Sequence, residues 1–482
     1  METRTSTDTV IAIDLDGTLT LTDTLHESAV VLFRDTPVNI LFLPFWLLGG
    51  KAALKAKVAD LVSLDVSTLP YNTALIDWLK EERATGKSIV LCTASNEHVA
   101  QAIADHLSIF DEVMASDCKT NNAGTNKRAA LEAKYGAKGY DYAGNSEADL
   151  DVWAGARQAI VVNASDPVTK QAAQVATVSK VFQPQTVTLS NWLKMLRVHQ
   201  WLKNLLLFVP LLAAHQMGNL QSLGTLILAF VSFSLCASAV YMANDLLDLE
   251  SDRKHPRKRL RPFACAALPI KVGIMLAPSF AIASLLLGLV VSTAFTGWLL
   301  VYFLLTCAYS LCLKRLVLID CLTLAGLYTV RIVAGAAAVA IALSFWLLAF
   351  SVFIFLSLAF VKRYAELQVQ AEAGNSHAYG RGYAVTDAPL VQTLGITAGY
   401  AAVLVLALYL HGETVGTLYA QPVFIWFAVP LMLFWVSWVW LKAHRGQMHD
   451  DPIVFVIKDK SSLAVAALMA VSFLLATKGI GN

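Results

Sequence analysis

Between Tyr241 and Arg261 the chain reads YMANDLLDLESDRKHPRKRLR, an asparagine and several carboxylates where a long apolar segment runs into a basic loop. On a helix, Asn244, Asp248 and Asp252 stand at i, i+4 and i+8, and Asp245 lies three residues before Asp248, so their oxygens converge on one rim. Hard oxygen donors in that pattern suit Mg2+, which keeps several waters and bridges one or two carboxylates to a substrate's phosphate oxygens. Acids at a membrane helix end are costly unless they pair, bind metal or face water. The spacing therefore predicts a metal and diphosphate site at a membrane surface. The alternative is a hydrated helix end whose acids pair with Arg253, Lys254 and Arg257.

A second set of residues suits phosphoryl transfer. Val10 to Leu19, VIAIDLDGTL, is a short apolar strand ending in Asp14, Asp16 and a Gly-Thr turn, which presents both carboxylates at a strand's C-terminal edge. A second strand, SIVLCTAS, ends at Thr93 and Ser95, and a third, YDYAGN, runs into Asn145, Ser146, Asp149 and Asp151. In such a site Asp14 attacks phosphorus, Asp16 exchanges protons with the leaving oxygen and then water, Thr93 and Lys127 hold phosphoryl oxygens, and Mg2+ screens the charge.

Three further constellations fall at the ends of apolar segments: RVHQWLKN with Arg197, Lys203 and Asn204; YSLCLKRLVLID with Tyr309, Lys314, Arg315 and Asp320; and FVKRYAEL with Lys362, Arg363 and Glu366. With the Asp-rich cluster they are expected to build one pocket. Asp320 and Arg331 are eleven residues apart, three helical turns, and share a face. An arginine inside an apolar span calls for an anionic partner, here Asp320 or a substrate phosphate. Lys442 and Lys458 read as ordinary topology signals. Asp450, Asp451 and Asp459 in MHDDPIVFVIKDK read as ordering a loop.

The elements that must position these groups follow from composition. Of 482 residues 56% are hydrophobic and 15% charged, too apolar for an ordinary soluble enzyme. The first 185 residues nevertheless read as soluble. From Leu202 onward nine apolar segments (202–217, 222–246, 272–292, 295–312, 316–340, 343–362, 390–411, 421–441 and 461–478) are each roughly long enough for the ~20-residue span of a bilayer. Lys and Arg crowd alternate connections, and the others (QMGNLQS, VSTAFTG, AVAIALS and HGETVGTLYAQP) contain neither. By the positive-inside rule the N-terminal domain and the charged loops are cytoplasmic and the C-terminus lies outside, in a multi-pass inner-membrane protein. The formal net charge is only +2, and no nucleic-acid partner is expected. Seven cysteines show no metal-ligand spacing and favour a reducing side. METRTSTDTV does not resemble a cleavable signal.

Strands separated by helical stretches predict a doubly wound parallel α/β sheet for residues 1–185, with a helical cap at about 24–80 and a linker over 164–190. Residues 186–482 are expected to form an all-α bundle of nine transmembrane helices. Within the cap, VNILFLPFWLLGGKAALKAK is too short in apolar residues to span; it lies in the membrane interface or forms a buried cap helix.

DLDGT, Thr93, Lys127 in NKRAAL and GNSEAD resemble the four motifs of the haloacid dehalogenase phosphatase superfamily over roughly residues 8–185. The resemblance implies a phosphatase with Asp14, Asp16, Asn145 and Asp149 around Mg2+. One departure is that Asn145 stands where the family usually has an aspartate ligand, so metal is held less well unless Asp149 serves; an inactive scaffold is the alternative. Residues 190–482, with NDLLDLESD after the second span and YSLCLKR with Asp320 after the fourth, resemble the UbiA superfamily of intramembrane prenyltransferases. RVHQWLKN, YSLCLK, VRIVAGAAA with Arg331, FLSLAFVKRYAEL and DDPIVFVIKD are most similar to its branch that moves phosphoribose from phosphoribosyl pyrophosphate to polyprenyl phosphate. That resemblance implies Mg2+ on Asp248 and Asp252, assisted by Asn244 and Asp245, with Lys203, Asn204, Tyr309, Lys314, Asp320, Arg331, Lys362 and Arg363 around the substrates. The expected product is polyprenylphosphoryl ribose once the fused phosphatase removes the 5-phosphate. The rival reading is prenyl transfer from prenyl diphosphate to a cyclic acceptor, against which the absence of acid at Leu324 argues; a transporter fits less well because the charges sit at helix ends. Homo-oligomerisation is left open.

Overall fold

The computed structural model describes residues 9–117, 121–377, 381–412, 419–448 and 452–478. They form two compact units, one of residues 1–197 with 241–278 and the other of residues 198–240 with 279–482.

The first unit is built on a six-stranded sheet: β1 (Val10–Ile13), β2 (Ser88–Asn96), β3 (Glu112–Ser116), β4 (Tyr140–Gly144), β5 (Gln158–Val162) and β6 (Thr177–Phe182). Their order is β3-β2-β1-β4-β5-β6 and every pairing is parallel. Successive side chains of β1 point to opposite faces, and both faces are covered. Ile11 and Ile13 pack with Leu75 and Leu79 on one side, Val10 and Ala12 with Leu131 and Trp153 on the other. A wholly buried β1 therefore ends at the middle of the sheet, where the order turns outward in both directions. That is where an open parallel sheet leaves a crevice for ligands.

The expected linker is shorter than its composition suggested. Asp166–Val175 is a helix and Thr177–Phe182 is the edge strand β6, whose largely exposed residues hid it among polar neighbours. The Asp-rich segment also departs from a single helix. Leu220–Leu247 ends at Asp248, and Leu249–Lys254 follows as a separate turn. The face survives this break, because the Asp248 amide donates to Asn244 O at 2.9 Å and the Asp252 amide to Asp248 O at 2.8 Å.

Among the described residues eight helices are long and apolar enough to cross a membrane: Leu220–Leu247, Ile270–Val291, Thr293–Leu311, Ile319–Ala338, Phe345–Glu372, Val385–Leu410, Val423–His444 and Lys460–Thr477. The first expected segment, 202–217, is a shorter helical stretch, Val198–Ala213, mostly of 3-10 type. Within the second unit this stretch lies directly on the Ile319–Ala338 helix at Gly335, where a Cβ would stand 2.0 Å from Leu207 O. Gly335 is one turn beyond Arg331, so the close approach is what brings Asn204 to the arginine. Asp450 and Asp451 lie outside the described residues.

Gly335→Ala is expected to force the two backbones apart and lower stability by about 1–3 kcal/mol, the usual scale of overpacking. Gly326→Ala on the same helix, where the nearest atom is 3.9 Å away, serves as control and should be neutral or stabilising. Thermal midpoints of the two variants in detergent check this.

Candidate active sites

At the C-terminal edge of the sheet the residues expected for phosphoryl transfer come together. Gly17, at φ 76°, turns the chain just past Asp14 and Asp16, and a Cβ there would meet Asn145 Nδ2 at 2.1 Å, so the asparagine amide lies against the turn. Lys127, near the start of the Thr125–Tyr135 helix, is buried and donates to Asp14 Oδ1 and to Tyr142 Oη, each at 2.8 Å. Asp16 accepts from Thr24 N at 2.7 Å and Thr24 Oγ1 at 2.8 Å through Oδ1, and from Ser95 Oγ at 2.5 Å through Oδ2. Thr93 is buried, and its Oγ1 accepts from Ser95 N at 3.0 Å.

Asp149 sits differently from a free ligand. Its Oδ2 accepts from Asn145 N, Ser146 N and Ser146 Oγ at 3.0, 3.0 and 3.1 Å, and its Oδ1 accepts from Tyr142 Oη at 2.8 Å with Lys127 Nζ 3.9 Å away. It braces the turn that presents Asn145. Burial pushes the Asp14 carboxyl up to about 7, against the pull of Lys127 and with Asp149 adding to the rise. Burial also raises Asp16, with the nearby Asp23 charge adding and Ser95 and Thr24 opposing. Lys127 is held protonated: burial disfavours its charge, but Asp14 and Asp149 outweigh burial.

The Asp-rich rim belongs to the same unit. Asp245 accepts from Arg197 Nη2 and, at 3.1 Å, from Arg261 Nη1, which also donates to Asp252 Oδ2 at 2.6 Å. Asp252 is 1% exposed, and its Oδ1 has no hydrogen-bond partner, with Lys258 Nζ 4.0 Å away. Burial raises its pKa against Arg261. Asn244 and Asp248 are half-buried on the same face. An orphaned carboxylate oxygen among oxygen donors fits a hard cation. Among the described residues no three His, Cys, Asp or Glu side chains form a ready cage, and Mg2+ that shares one or two carboxylates with phosphate oxygens needs none. The next residue, Arg253, is buried and forks onto Glu27 at 2.6 and 3.2 Å, while Arg34 meets Glu250 at 2.6 Å and Lys254 meets Asp65 at 2.8 Å.

The second unit holds two further clusters. Asp320 is fully buried and accepts from Tyr383 Oη at 2.6 Å. Arg363 Nη2 lies 2.5 Å from Asp320 Oδ2 without hydrogen-bond alignment, and Arg363 Nη1 meets Glu366. Arg381 ties the group together, with Glu366 at 3.2 Å, Tyr309 Oη at 3.1 Å and Asp320 at 3.6 Å. Arg331 does not pair with Asp320, the protein partner its face predicted. It donates to Asn204 Oδ1 at 3.0 Å and Tyr302 Oη at 3.1 Å, and packs against the rings of Phe233, Tyr302 and Tyr328. Lys203 is buried beside it, 5.6 Å from the Tyr328 ring. Lys314 and Lys362 are half-buried.

Sequence reasoning missed Thr24, Tyr142, Tyr302 and Tyr383. Tyr142 carried a signal, since a tyrosine inside a central strand must find a partner for its hydroxyl. Tyr383 carried none, because it reaches Asp320 from 63 residues away.

Residues 205–475 match the model of the UbiA prenyltransferase family. An uncharacterised protein of Sinorhizobium fredii, y4nM, is 34% identical over 466 residues, 96% of this chain and 90% of its own length. Decaprenyl-phosphate phosphoribosyltransferase of Mycobacterium tuberculosis is 34% identical over 198 residues, 40% of this chain and 66% of its own. Among solved structures, an Archaeoglobus fulgidus UbiA homologue bound to GPP and Mg2+ overlaps 59% of this chain and 99% of its own at 16% identity, with a TM-score of 0.45. A substrate-bound phosphoserine phosphatase overlaps 36% of this chain and 93% of its own at 13% identity, with a TM-score of 0.28.

With Asp14 and Asp16 raised above their unfolded values, the metal-free fold binds more protons than the unfolded chain between about pH 4 and 7. The stability this contributes is complete below pH 4 and is lost as pH rises through 7. In chelator, hydrogen-exchange protection of β1 and β4 amides, corrected for intrinsic rates, should fall between about pH 4 and 7. Asp14→Asn should flatten the fall, and Mg2+ should restore protection.

Proposed function

We propose, from the premise that the chain belongs to the UbiA prenyltransferase family, that it is an integral-membrane transferase carrying 5-phosphoribose from phosphoribosyl pyrophosphate to polyprenyl phosphate. The attached α/β domain then removes the 5-phosphate. The observation that carries the first step is the rim of buried Asp245 and Asp252 with half-buried Asn244 and Asp248, in which Asp252 Oδ1 stands unpartnered. The likeness to decaprenyl-phosphate phosphoribosyltransferases supports the choice of substrates. The sorting of Lys and Arg supports a site on the cytoplasmic face.

The lipid phosphate is already an anion, so one of its oxygens attacks the anomeric carbon without a strong base. The new C–O bond forms as the bond to the diphosphate oxygen breaks. Asp248 and Asp252, with Asn244 and Asp245, would hold Mg2+, which would supply positive charge to the departing diphosphate. Arg197 and Arg261, which hold Asp245 and Asp252, also supply guanidinium donors for phosphate oxygens at the rim. Lys203 and Arg331 supply positive charge inside the helical unit, and Asn204 and Tyr302 fix the guanidinium plane. Arg363 and Arg381 around Asp320 offer a second guanidinium pair.

In the phosphatase step Asp14 attacks phosphorus, giving an aspartyl phosphate, and the ribose oxygen leaves with a proton from Asp16. Water then attacks the same phosphorus, loses its proton to Asp16 and releases phosphate, regenerating Asp14. Burial of Asp16 favours the protonated form that the first half needs. Lys127 offsets the phosphoryl charge. Asn145 and the Asp14 carboxylate would hold Mg2+, which would screen the phosphoryl charge, and Asp149 braces the turn that presents Asn145; the Asp16 carboxylate, filled by Thr24 and Ser95, is kept for proton transfer rather than for the metal.

Incubating the purified chain with ribose-labelled phosphoribosyl pyrophosphate, polyprenyl phosphate and Mg2+ is expected to move label into the organic phase as lipid-linked ribose. Asp252→Asn should cut transfer by about a hundredfold. Asp14→Asn should leave transfer intact and slow 5-phosphate release by about a thousandfold, so that lipid-linked ribose 5-phosphate accumulates. Turnover of prenyl diphosphate with no label in lipid would overturn the phosphoribosyl reading.

A further inference from the structure

The cap of the α/β domain carries an apolar segment that its own fold does not use. Pro37–Phe42 and Leu43–Leu48 form two short helical turns, and neither buries a single residue. Val38 is 66% exposed, Leu41 70%, Phe45 66% and Leu48 86%. This excludes the buried cap helix. A contiguous exposed apolar patch marks a surface meant for another phase or partner.

Its chemistry fits a lipid surface. Twelve residues are too few to cross a bilayer, and Phe42 stacks on Trp46 at 6.3 Å, an aromatic pair of the sort that sits at headgroup level. Lys51 and Lys57, both exposed, follow immediately and suit anionic headgroups. The chain supplies the bilayer itself through its eight apolar helices.

The segment also leads toward the phosphatase site. The next helix, Lys51–Leu61, lines one cleft with Thr24 and Ser95, the two residues hydrogen bonded to Asp16, and Lys55 Nζ donates to Ala94 O at 2.6 Å. We propose that Pro37–Leu48 is an interfacial anchor seated in the headgroup region of the membrane, holding the phosphatase cleft against it so that its substrate is a phosphomonoester borne on a lipid. The choice of substrate rests on the phosphatase reading; the anchor does not.

The test is photocross-linking of the full chain in phosphatidylglycerol–phosphatidylethanolamine vesicles. Phe45→p-benzoylphenylalanine, and independently Leu48→p-benzoylphenylalanine, should give peptide–lipid adducts by mass, and Val175→p-benzoylphenylalanine on the sheet domain should give none. Adducts only to a second copy of the chain, or only to peptides of the same chain, would overturn the anchor. For the substrate, the Phe45→Glu/Leu48→Glu variant should raise KM for vesicle-borne phosphatidic acid by about tenfold and leave hydrolysis of p-nitrophenyl phosphate unchanged. An equal loss on both substrates would overturn the lipid-substrate claim. If the wild-type chain cleaves neither, that claim falls with the phosphatase reading, and the cross-links still decide the anchor.

Discussion

The acids of the candidate sites are buried or half-buried, and a carboxylate withdrawn from water must be matched by a cation or a donor, or it takes up a proton. That requirement organises the site residues. Asp14 is met by Lys127, Asp16 by Thr24 and Ser95, Asp245 and Asp252 by Arg197 and Arg261, and Asp320 by Arg363, Arg381 and Tyr383. Removing one partner of such a pair typically costs about 3–5 kcal/mol, because the other charge is left stranded. The matching is incomplete at Asp252 Oδ1. An imperfect match is what a ligand-binding acid requires, since a carboxylate fully committed to protein donors has little to offer a metal.

The same requirement explains the Glu27–Arg253 pair. Glu27 lies one turn into the Thr24–Asp35 helix, whose first residue holds Asp16, and Arg253 directly follows Asp252. Both side chains are almost fully buried, so neither can lose the other cheaply. One helical turn and one ion pair thus connect Asp16 to the acid rim.

Much of this was legible in the residues. The two strand-end aspartates, the lysine near the start of the Thr125–Tyr135 helix and the parallel sheet follow from local pattern, because a buried strand running into DLDGT has few other uses. Eight spans followed from length and hydropathy alone. What local pattern could not carry was partner choice. Arg331 and Asp320 share a helix face by spacing, yet each is satisfied from elsewhere: Arg331 by a segment admitted through Gly335, and Asp320 by Arg363 and by Tyr383 on a distant loop. Strand β6 was missed because an exposed edge strand lacks the apolar run that betrays a central one. In the sequence Asp149 reads as an expected Mg2+ ligand, and its work as a brace for the Asn145–Ser146 turn became visible only with that turn in place.

The central claim is that the acid rim takes a divalent cation together with a diphosphate. The direct measurement is a Mn2+ titration of the purified chain followed by electron paramagnetic resonance, with and without inorganic pyrophosphate, in an Asp14→Asn background that weakens the phosphoryl site. The account predicts that pyrophosphate tightens Mn2+ binding by about tenfold or more and that Asp252→Asn removes this gain. A pyrophosphate-dependent gain that survives both Asp252→Asn and Asp248→Asn would contradict it.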